Sequence, residues 1–364
     1  MHGRYSQIKS LFKLAQPKYR SILGIDISPA AVTILEISRN RESFCVERYG
    51  RESLPSHALE GNTIKDVNAI AACIRNLWIE LKTNCKQVVI AVPDAAIISK
   101  VIQLRDGLHD EDIEELVAIE ADKYIPYPID EINLDFEILG HSEKNTSLLD
   151  VLLVASRTEN VNTRVEALAR AGLDVVVVDV ESYAVARAAQ WLALDLPKIE
   201  QNKTIAIIDV GAQCTHLFVL HDLRLIYSRE EQFGGIQLIE AIAEHYKMTV
   251  EQAMVAKEKG QLPDAYSFTC LTSFHDNLLT QIKRTLQFFY STNHVEDVDL
   301  ILLAGDFARF PGLANLMQEK LGVSVTVANP FSHMFLGQMV HLDALNHDAP
   351  SLIVACGLAL RNIQ

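Results

Sequence analysis

The sequence is short of positive charge: 33 Lys and Arg stand against 47 Asp and Glu, for a formal charge of −14. That balance excludes a general nucleic-acid binder, which needs a basic footprint for phosphate backbones. Cysteine is scarce as well. The six are scattered, with no C-x-x-C pair and no His/Cys cluster along the chain. This argues against zinc and against a disulfide framework, and fits a reducing cytosol. No apolar run approaches the ~20 residues that a membrane span needs. Residues 1–20 also lack the apolar core of a signal peptide. They carry Arg4, Lys9, Lys13, Lys18 and Arg20 with no acid among them, and Ile8, Leu11, Phe12 and Ala15 fall at helical spacing. This basic tail reads either as a loosely ordered end or as a weak contact for an anionic membrane surface.

The chain does have length and apolar content. Its 364 residues, 49% of them apolar, allow two or three domains with sizeable cores. One pattern occurs twice, roughly half a chain apart. Thr204-Ile-Ala-Ile-Ile-Asp-Val-Gly-Ala-Gln-Cys-Thr-His-Leu-Phe-Val-Leu220 is an apolar run that ends in Asp209, turns at Gly211 and continues as a second apolar run. Leu23-Gly-Ile-Asp-Ile-Ser-Pro-Ala-Ala-Val-Thr-Ile-Leu35 repeats it, with Asp26 in the place of Asp209 and Ser28 in the place of Gly211. The repeat implies a duplicated α/β fold.

Around it, residues 22–54 read as a three-stranded meander. The spacing predicts helices over 64–82, 110–123, 162–171, 181–194, about 274–290 and 352–361, with strands at 88–92, 148–155, 174–180, 300–303 and 323–327. Gly172 is a natural left-handed helix stop. Thr249 and Gln252 form a capping-box pattern. The polar stretch 196–203 breaks the periodicity and marks a boundary between two lobes.

An acid followed by a small residue at a strand turn suits one chemistry. A hairpin turn exposes N–H groups that no ladder uses, and several pointing one way hold an anion. Glycine lets a phosphate approach the main chain closely. The carboxylate is useful once a hydrated Mg²⁺ lies between it and the phosphate, because Mg²⁺ takes few carboxylates and keeps its waters. Two such hairpins facing across a cleft would clamp one nucleotide, with Asp26 and Asp209 both addressing the metal. A single Asp-x-Gly is equally an ordinary turn; the duplication gives it weight. Gly234-Gly235 and the strand–Gly305 turn are weaker signals of the same kind.

Together these elements resemble the actin/Hsp70/hexokinase superfamily, and the resemblance narrows. The stretches Gly24-Ile-Asp-Ile-Ser-Pro-Ala-Ala-Val32, Asp122-Lys-Tyr-Ile-Pro-Tyr-Pro-Ile-Asp-Glu-Ile-Asn-Leu-Asp-Phe136, Ala171-Gly-Leu173, Asp179-Val-Glu181, Phe233-Gly-Gly-Ile-Gln-Leu238, Phe310-Pro-Gly-Leu313 and Ala355-Cys-Gly-Leu-Ala-Leu-Arg361 are similar to those of the PilM family of type IV pilus assembly. The resemblance spans nearly everything after the tail. It implies an FtsA-like form of the two-lobe actin fold. The first lobe would cover 21–200 with a subdomain inserted at about 86–160. The second would cover 201–364 with a helical insertion at about 236–297.

The resemblance further implies ATP and Mg²⁺ between the lobes. Asp26, Ser28 and Ala30 match the first phosphate turn, and Asp209, Gly211, Ala212 and Gln213 the second. Gly234, Gly235, Gly305 and Asp306 match the later turns, and Arg284 sits where related folds place a basic residue near the base. Solvated helix charge is the simpler reading of Arg284. Asp26 and Asp209 are the expected metal-facing acids. The partner implied is the N-terminal cytoplasmic tail of PilN, an inner-membrane protein, and through it PilO, PilP and the pilus motor. Tyr124, Ile125 and Tyr127 would offer the groove, or else form a proline-fixed turn. The protein is then expected in the cytoplasm, at the inner-membrane face.

Three positions depart from the family pattern. Ser28-Pro29 replaces a Gly-Ser turn, and proline has no N–H. A lost charge-assisted donor costs about 1.5–3 kcal/mol, roughly ten- to a hundredfold in affinity. Thr33 replaces a lysine. Asp306 adds bulk and negative charge to a turn that is usually glycine-rich. All three weaken nucleotide binding, so hydrolysis is expected to be weak or absent. A nucleotide-free scaffold and a kinase-like enzyme of the same superfamily stay open. The final residues, Arg361-Asn-Ile-Gln364, offer no amphipathic anchor of the kind a division-type filament former uses.

Overall fold

The computed structural model describes residues 21–361 apart from 41–42, 143–144, 194–202, 264–265, 294 and 296. The basic tail and most of the expected lobe boundary at 196–203 lie outside the described residues. The first half contains β1 (Ser21–Ile27), β2 (Ala31–Asn40), β3 (Ser43–Ser53), β4 (Leu59–Glu60), β5 (Thr63–Ile64), α1 (Val67–Glu80), β6 (Gln87–Val92), β7 (Ile97–Arg105), α2 (Asp110–Tyr124), β8 (Ile132–Ser142), β9 (Asn145–Arg157), α3 (Thr158–Ala171), β10 (Asp174–Val180) and α4 (Glu181–Ala193). The second half contains β11 (Thr204–Val210), β12 (Thr215–His221), β13 (Arg224–Glu231), α5 (Gly235–Tyr246), α6 (Val250–Glu258), α7 (Thr272–Asn293), β14 (Leu300–Ala304), α8 (Leu313–Leu321), β15 (Ser324–Val327), β16 (Phe335–Leu336), α9 (Leu342–Asp348) and α10 (Ile353–Leu360).

The duplication is plain in the sheets. The first runs β10-β6-β1-β2-β3-β16 and the second β13-β12-β11-β14-β15. Each has an antiparallel meander whose first strand pairs in parallel with a strand that arrives after a helix. β1 and β11 thus occupy the same central place, which puts Asp26 and Asp209 at equivalent strand ends. Both strands are buried along nearly their whole length, as their unbroken apolar runs require.

Between the sheets lies a layer made by α4 and α10. Ile22, Leu35 and Val89 of the first sheet, Ile205, Ile207 and Phe218 of the second, and Ala184, Ala188 and Leu358 of the helices share one core. The two helices approach closely because their contact residues are small. A side chain at Gly357 would overlap the Ala184 carbonyl. The outer face of the first sheet packs Ile70, Ile74, Ala167 and Leu168 of α1 and α3, and that of the second packs Leu238, Leu278 and Ile282 of α5 and α7.

Local chemistry sets the element ends. The first helix begins at Val67 rather than 64 because Asp66 caps it, accepting from the Ala69 N–H at 3.0 Å. Gly172 ends α3 with φ 88°. Thr249 and Gln252 form the capping box in both directions, at 2.9 and 3.2 Å.

Two expected boundaries look different in three dimensions. The insertion placed at about 86–160 opens on β6, which pairs with β1 and β10 inside the main sheet. The separate three-stranded sheet, β7-β9-β8, starts at Ile97 and carries α2. Likewise the end of the expected second lobe returns to the first half: β16 pairs with β3, and α10 lies so close to β1 that a side chain at Gly24 would strike the Ala355 carbonyl.

Candidate functional site

One cavity of about 90 Å³ lies where the two central strands end. Its wall holds Asp26, Ser28 and Ala30 from the first turn, Asp209, Gly211, Ala212 and Gln213 from the second, and Gly305 and Asp306 after β14. The paired hairpins therefore face one gap, and nine of the expected residues meet there. Thr33 and Pro29, two of the departures, line it too.

The turns are unequal as anion cradles. In the first, the Ser28 N–H is spent on the Ala31 carbonyl at 3.0 Å, the Ala31 N–H on Ser28 Oγ at 3.4 Å, and Pro29 has no N–H. In the second, the Gly211 N–H donates to the Cys214 carbonyl at 3.0 Å, and the turn's other amides belong to Ala212 and Gln213.

Two expected residues shape the turn instead of lining the cavity. The Gly235 N–H donates to the Gly211 carbonyl at 3.0 Å and the Ile236 N–H to the Ala212 carbonyl at 2.7 Å. A Cβ at Gly234 would come within 2.7 Å of the Gly211 carbonyl oxygen, and one at Gly235 would run into the Phe307 ring. These glycines let α5 butt against the second hairpin. Arg284 is exposed on α7 and is not part of the cavity wall. Gly305 has φ 87°, and a side chain there would overlap an Asp209 carboxylate oxygen and the Val210 carbonyl. Only glycine fits that turn.

Asp306 is not a loose negative charge. Both its oxygens accept from Arg51 on β3, one at 2.7 Å, in a bidentate pair that joins the two halves across the cavity. Burial alone would raise the Asp306 carboxyl, but the Arg51 hydrogen bonds and charge, with help from Arg309, hold it below the usual range. Arg51 also reaches Ser351 Oγ at 3.5 Å.

The remaining acids are pushed the other way. Burial, then the Asp209 charge, raises Asp26 to about 7 against the opposing Arg51. Burial raises Asp209 to about 6, with His216 opposing. Glu181, the first residue of α4, is raised to about 8 by burial and then by Asp26. His216 is displaced upward: its hydrogen bonds with Cys214 and Glu230 outweigh burial, which alone would lower it. An excess of enclosed carboxylates is a site that favours a cation.

Arg51, Asn62, Glu181, Cys214 and His216 also line the cavity, beyond the residues that the two turn motifs predict. Glu181 lies in the Asp179-Val-Glu181 stretch and His216 two residues beyond the second turn, so each had a faint local signal. Arg51 and Asn62 had none. The reading that the chain holds no His/Cys cluster also needs correction. Folding brings Cys214, His216 and Glu230 together, with ligand atoms all within 4.8 Å of one another.

The proposed partner surface is split by the fold. Tyr124 and Tyr127 are exposed, with Lys100 Nζ 5.5 Å from the Tyr124 ring centre and the Arg157 guanidinium 5.3 Å from that of Tyr127. Ile125 is buried among Ile102, Val117 and Leu134, because it caps α2 against the small sheet. It supports the surface and does not present one.

Two sheets that share one five-strand order, the first extended at its edge by β16, close on one cavity with an acid near the end of each central strand, and this defines an actin-like fold. The model of the PilM family, type IV pilus assembly proteins, matches residues 24–363, and the chain belongs to that family. A solved PilM–PilN type IV pilus biogenesis complex is similar at 27% identity and a TM-score of 0.79, covering 96% of this chain and 100% of that one. The ethanolamine utilization protein EutJ from Carboxydothermus hydrogenoformans shares the fold at 14% identity and a TM-score of 0.54, over 95% and 91% of the two chains. Among the described residues no helix is long and apolar enough to cross a membrane.

Proposed function

We propose that this chain is the PilN-binding adaptor of type IV pilus assembly at the cytoplasmic face of the inner membrane. In this reading it grips the N-terminal tail of PilN, and through PilN it links PilO and PilP to the motor side. The observation that carries the reading is the likeness to a PilM–PilN complex over the full length of that chain. The exposed Tyr124, Tyr127 and Ile129 beside the three-stranded sheet support it further. Such a surface suits an extended peptide that places apolar side chains between cation-flanked rings.

The cavity is read as a site for ATP with Mg²⁺. The donor set fits in part. Asp26 and Asp209 would hold the ion, which would offset the phosphate charge there. Ala212 and Gln213 would donate to phosphate, whereas the first turn offers little. A volume of about 90 Å³ is far below the ~300–1,000 Å³ usual for small-molecule sites, so a nucleotide would need a wider cleft, and the Arg51–Asp306 pair that spans it would have to part. Nucleotide binding and cleft opening are thus coupled, and the groove beside the small sheet can respond to the same movement. Slow or absent turnover fits the weak first turn.

Calorimetry with a synthetic peptide of the cognate PilN N-terminal segment tests the adaptor reading. Tight binding that weakens about tenfold or more in Tyr124→Ala or Tyr127→Ala is expected. Failure of the wild-type chain to bind the peptide would sink the assignment. Equal peptide affinity with and without Mg·ATP would remove the coupling alone.

A further inference from the structure

The row Asp209, His216 and Glu230 runs straight across the second sheet, since His216 is the register partner of both Asp209 and Glu230. Partners in register share one face, and Cys214, in the turn just before β12, brings its Sγ to the His216 ring. His216 Nε2 stands 3.1 Å from Glu230 Oε2, and Cys214 Sγ stands 3.9 Å from each ring nitrogen. Around a tetrahedral zinc ion the S–N and N–O separations are roughly 3.4–3.6 Å, from the usual bond lengths. The Cys214–Nε2 separation is a few tenths of an ångström wide, the Nε2–Glu230 one a few tenths short, and all three ligand atoms lie within 4.8 Å, so an ion that displaces the proton shared by His216 and Glu230 needs rotation of these side chains to bind.

The surroundings favour such an ion. Glu230 is oriented by Asn62 Nδ2 at 3.3 Å and by the Gln232 side chain. His216 stacks on Phe218, with ring centres 5.7 Å apart. His216 and Glu230 keep only 16% and 18% side-chain exposure, yet Cys214 and His216 line the cavity. A fourth ligand position therefore faces the gap. The cavity wall adds Asp26, Glu181, Asp209 and Asp306 against Arg51 and His216, so acids outnumber bases around the gap.

We propose that Cys214, His216 and Glu230 form a three-ligand site for a borderline divalent transition ion, with Zn²⁺ the natural occupant. Thiolate and imidazole together select Zn²⁺ over the oxygen-seeking Mg²⁺. The ion sits on the second hairpin, distinct from the Asp26 and Asp209 pair. Through Asn62, which reaches Glu230 from the β4–β5 turn, it braces that hairpin against the first half of the chain.

Cobalt titration of the full-length protein tests this. One equivalent of Co²⁺ should give tetrahedral d–d bands and a thiolate-to-cobalt charge-transfer band, which stoichiometric Zn²⁺ removes and excess Mg²⁺ leaves intact. Cys214→Ser, a near-isosteric change checked for folding by circular dichroism, should abolish the charge-transfer band and weaken binding about a hundredfold. Glu230→Gln should keep the band and weaken binding about tenfold. A spectrum without thiolate character, one erased by Mg²⁺, or equal cobalt affinity in wild type and Cys214→Ser would overturn the site.

Discussion

The two central hairpins share one architecture and differ in what their turns can do. β1 and β11 hold equivalent positions, and both end in an acid that faces the cavity. The second turn keeps glycine and two amides, and it is braced from behind by α5 through Gly234 and Gly235. The first replaces those features with Ser28 and Pro29 and spends the Ser28 and Ala31 amides on itself. The two halves thus share a scaffold and differ in the chemistry of their turns. In the proposed reading the second half would hold the anion and the first would chiefly supply Asp26 and the Arg51 guanidinium.

That contrast is open to direct attack. The largest effect is expected from Asp209→Asn, which removes the acid beside the better turn. Fluorescent-nucleotide titration should show Mg·ATP affinity falling about a hundredfold or more, and Asp26→Asn should fall less. Equal losses would mean the hairpins are equivalent after all. Next in size, Pro29→Gly returns a donor to the first turn and should tighten nucleotide binding about tenfold. No change would show that the first turn never meets phosphate.

The smallest effect is on stability. Asp26, Asp209 and Glu181 hold protons more tightly folded than unfolded, with folded values of about 7, 6 and 8. Each favours folding in full below about pH 4, near its unfolded value, and that contribution is lost as pH rises through about 6 to 8. Thermal melts should accordingly show a lower Tm at pH 8 than at pH 5. Asp26→Asn should flatten the slope and raise Tm at pH 8 by about 2 °C. An unchanged slope would argue that the acids are better solvated than the cavity suggests.

How much of this was legible beforehand depends on distance along the chain. That Asp26, Asp209, Gly211 and Gly305 share a turn pattern is legible because each motif is local and one of them is repeated, and all four line the cavity. Arg51, Asn62, Glu181 and His216 could not be assigned, because strand pairing and the packing of the two halves bring them together. The zinc-like trio was hidden for the same reason: Glu230 meets His216 only across a ladder. The expected start of the insertion fell on β6 because parallel pairing with β1 skips over α1 and leaves no local trace. Gly234 and Gly235 were legible as glycines but not as packing glycines, since the colliding ring of Phe307 lies far along the chain.

The Arg51–Asp306 pair has one more consequence. A guanidinium fork serves a carboxylate and a phosphate alike, so an arriving polyphosphate would find a ready hand already holding a stand-in. Exchange of one anion for the other costs less than parting the charges into water. Asp306 would thus work as a placeholder, keeping the jaws shut until a stronger claimant displaces it.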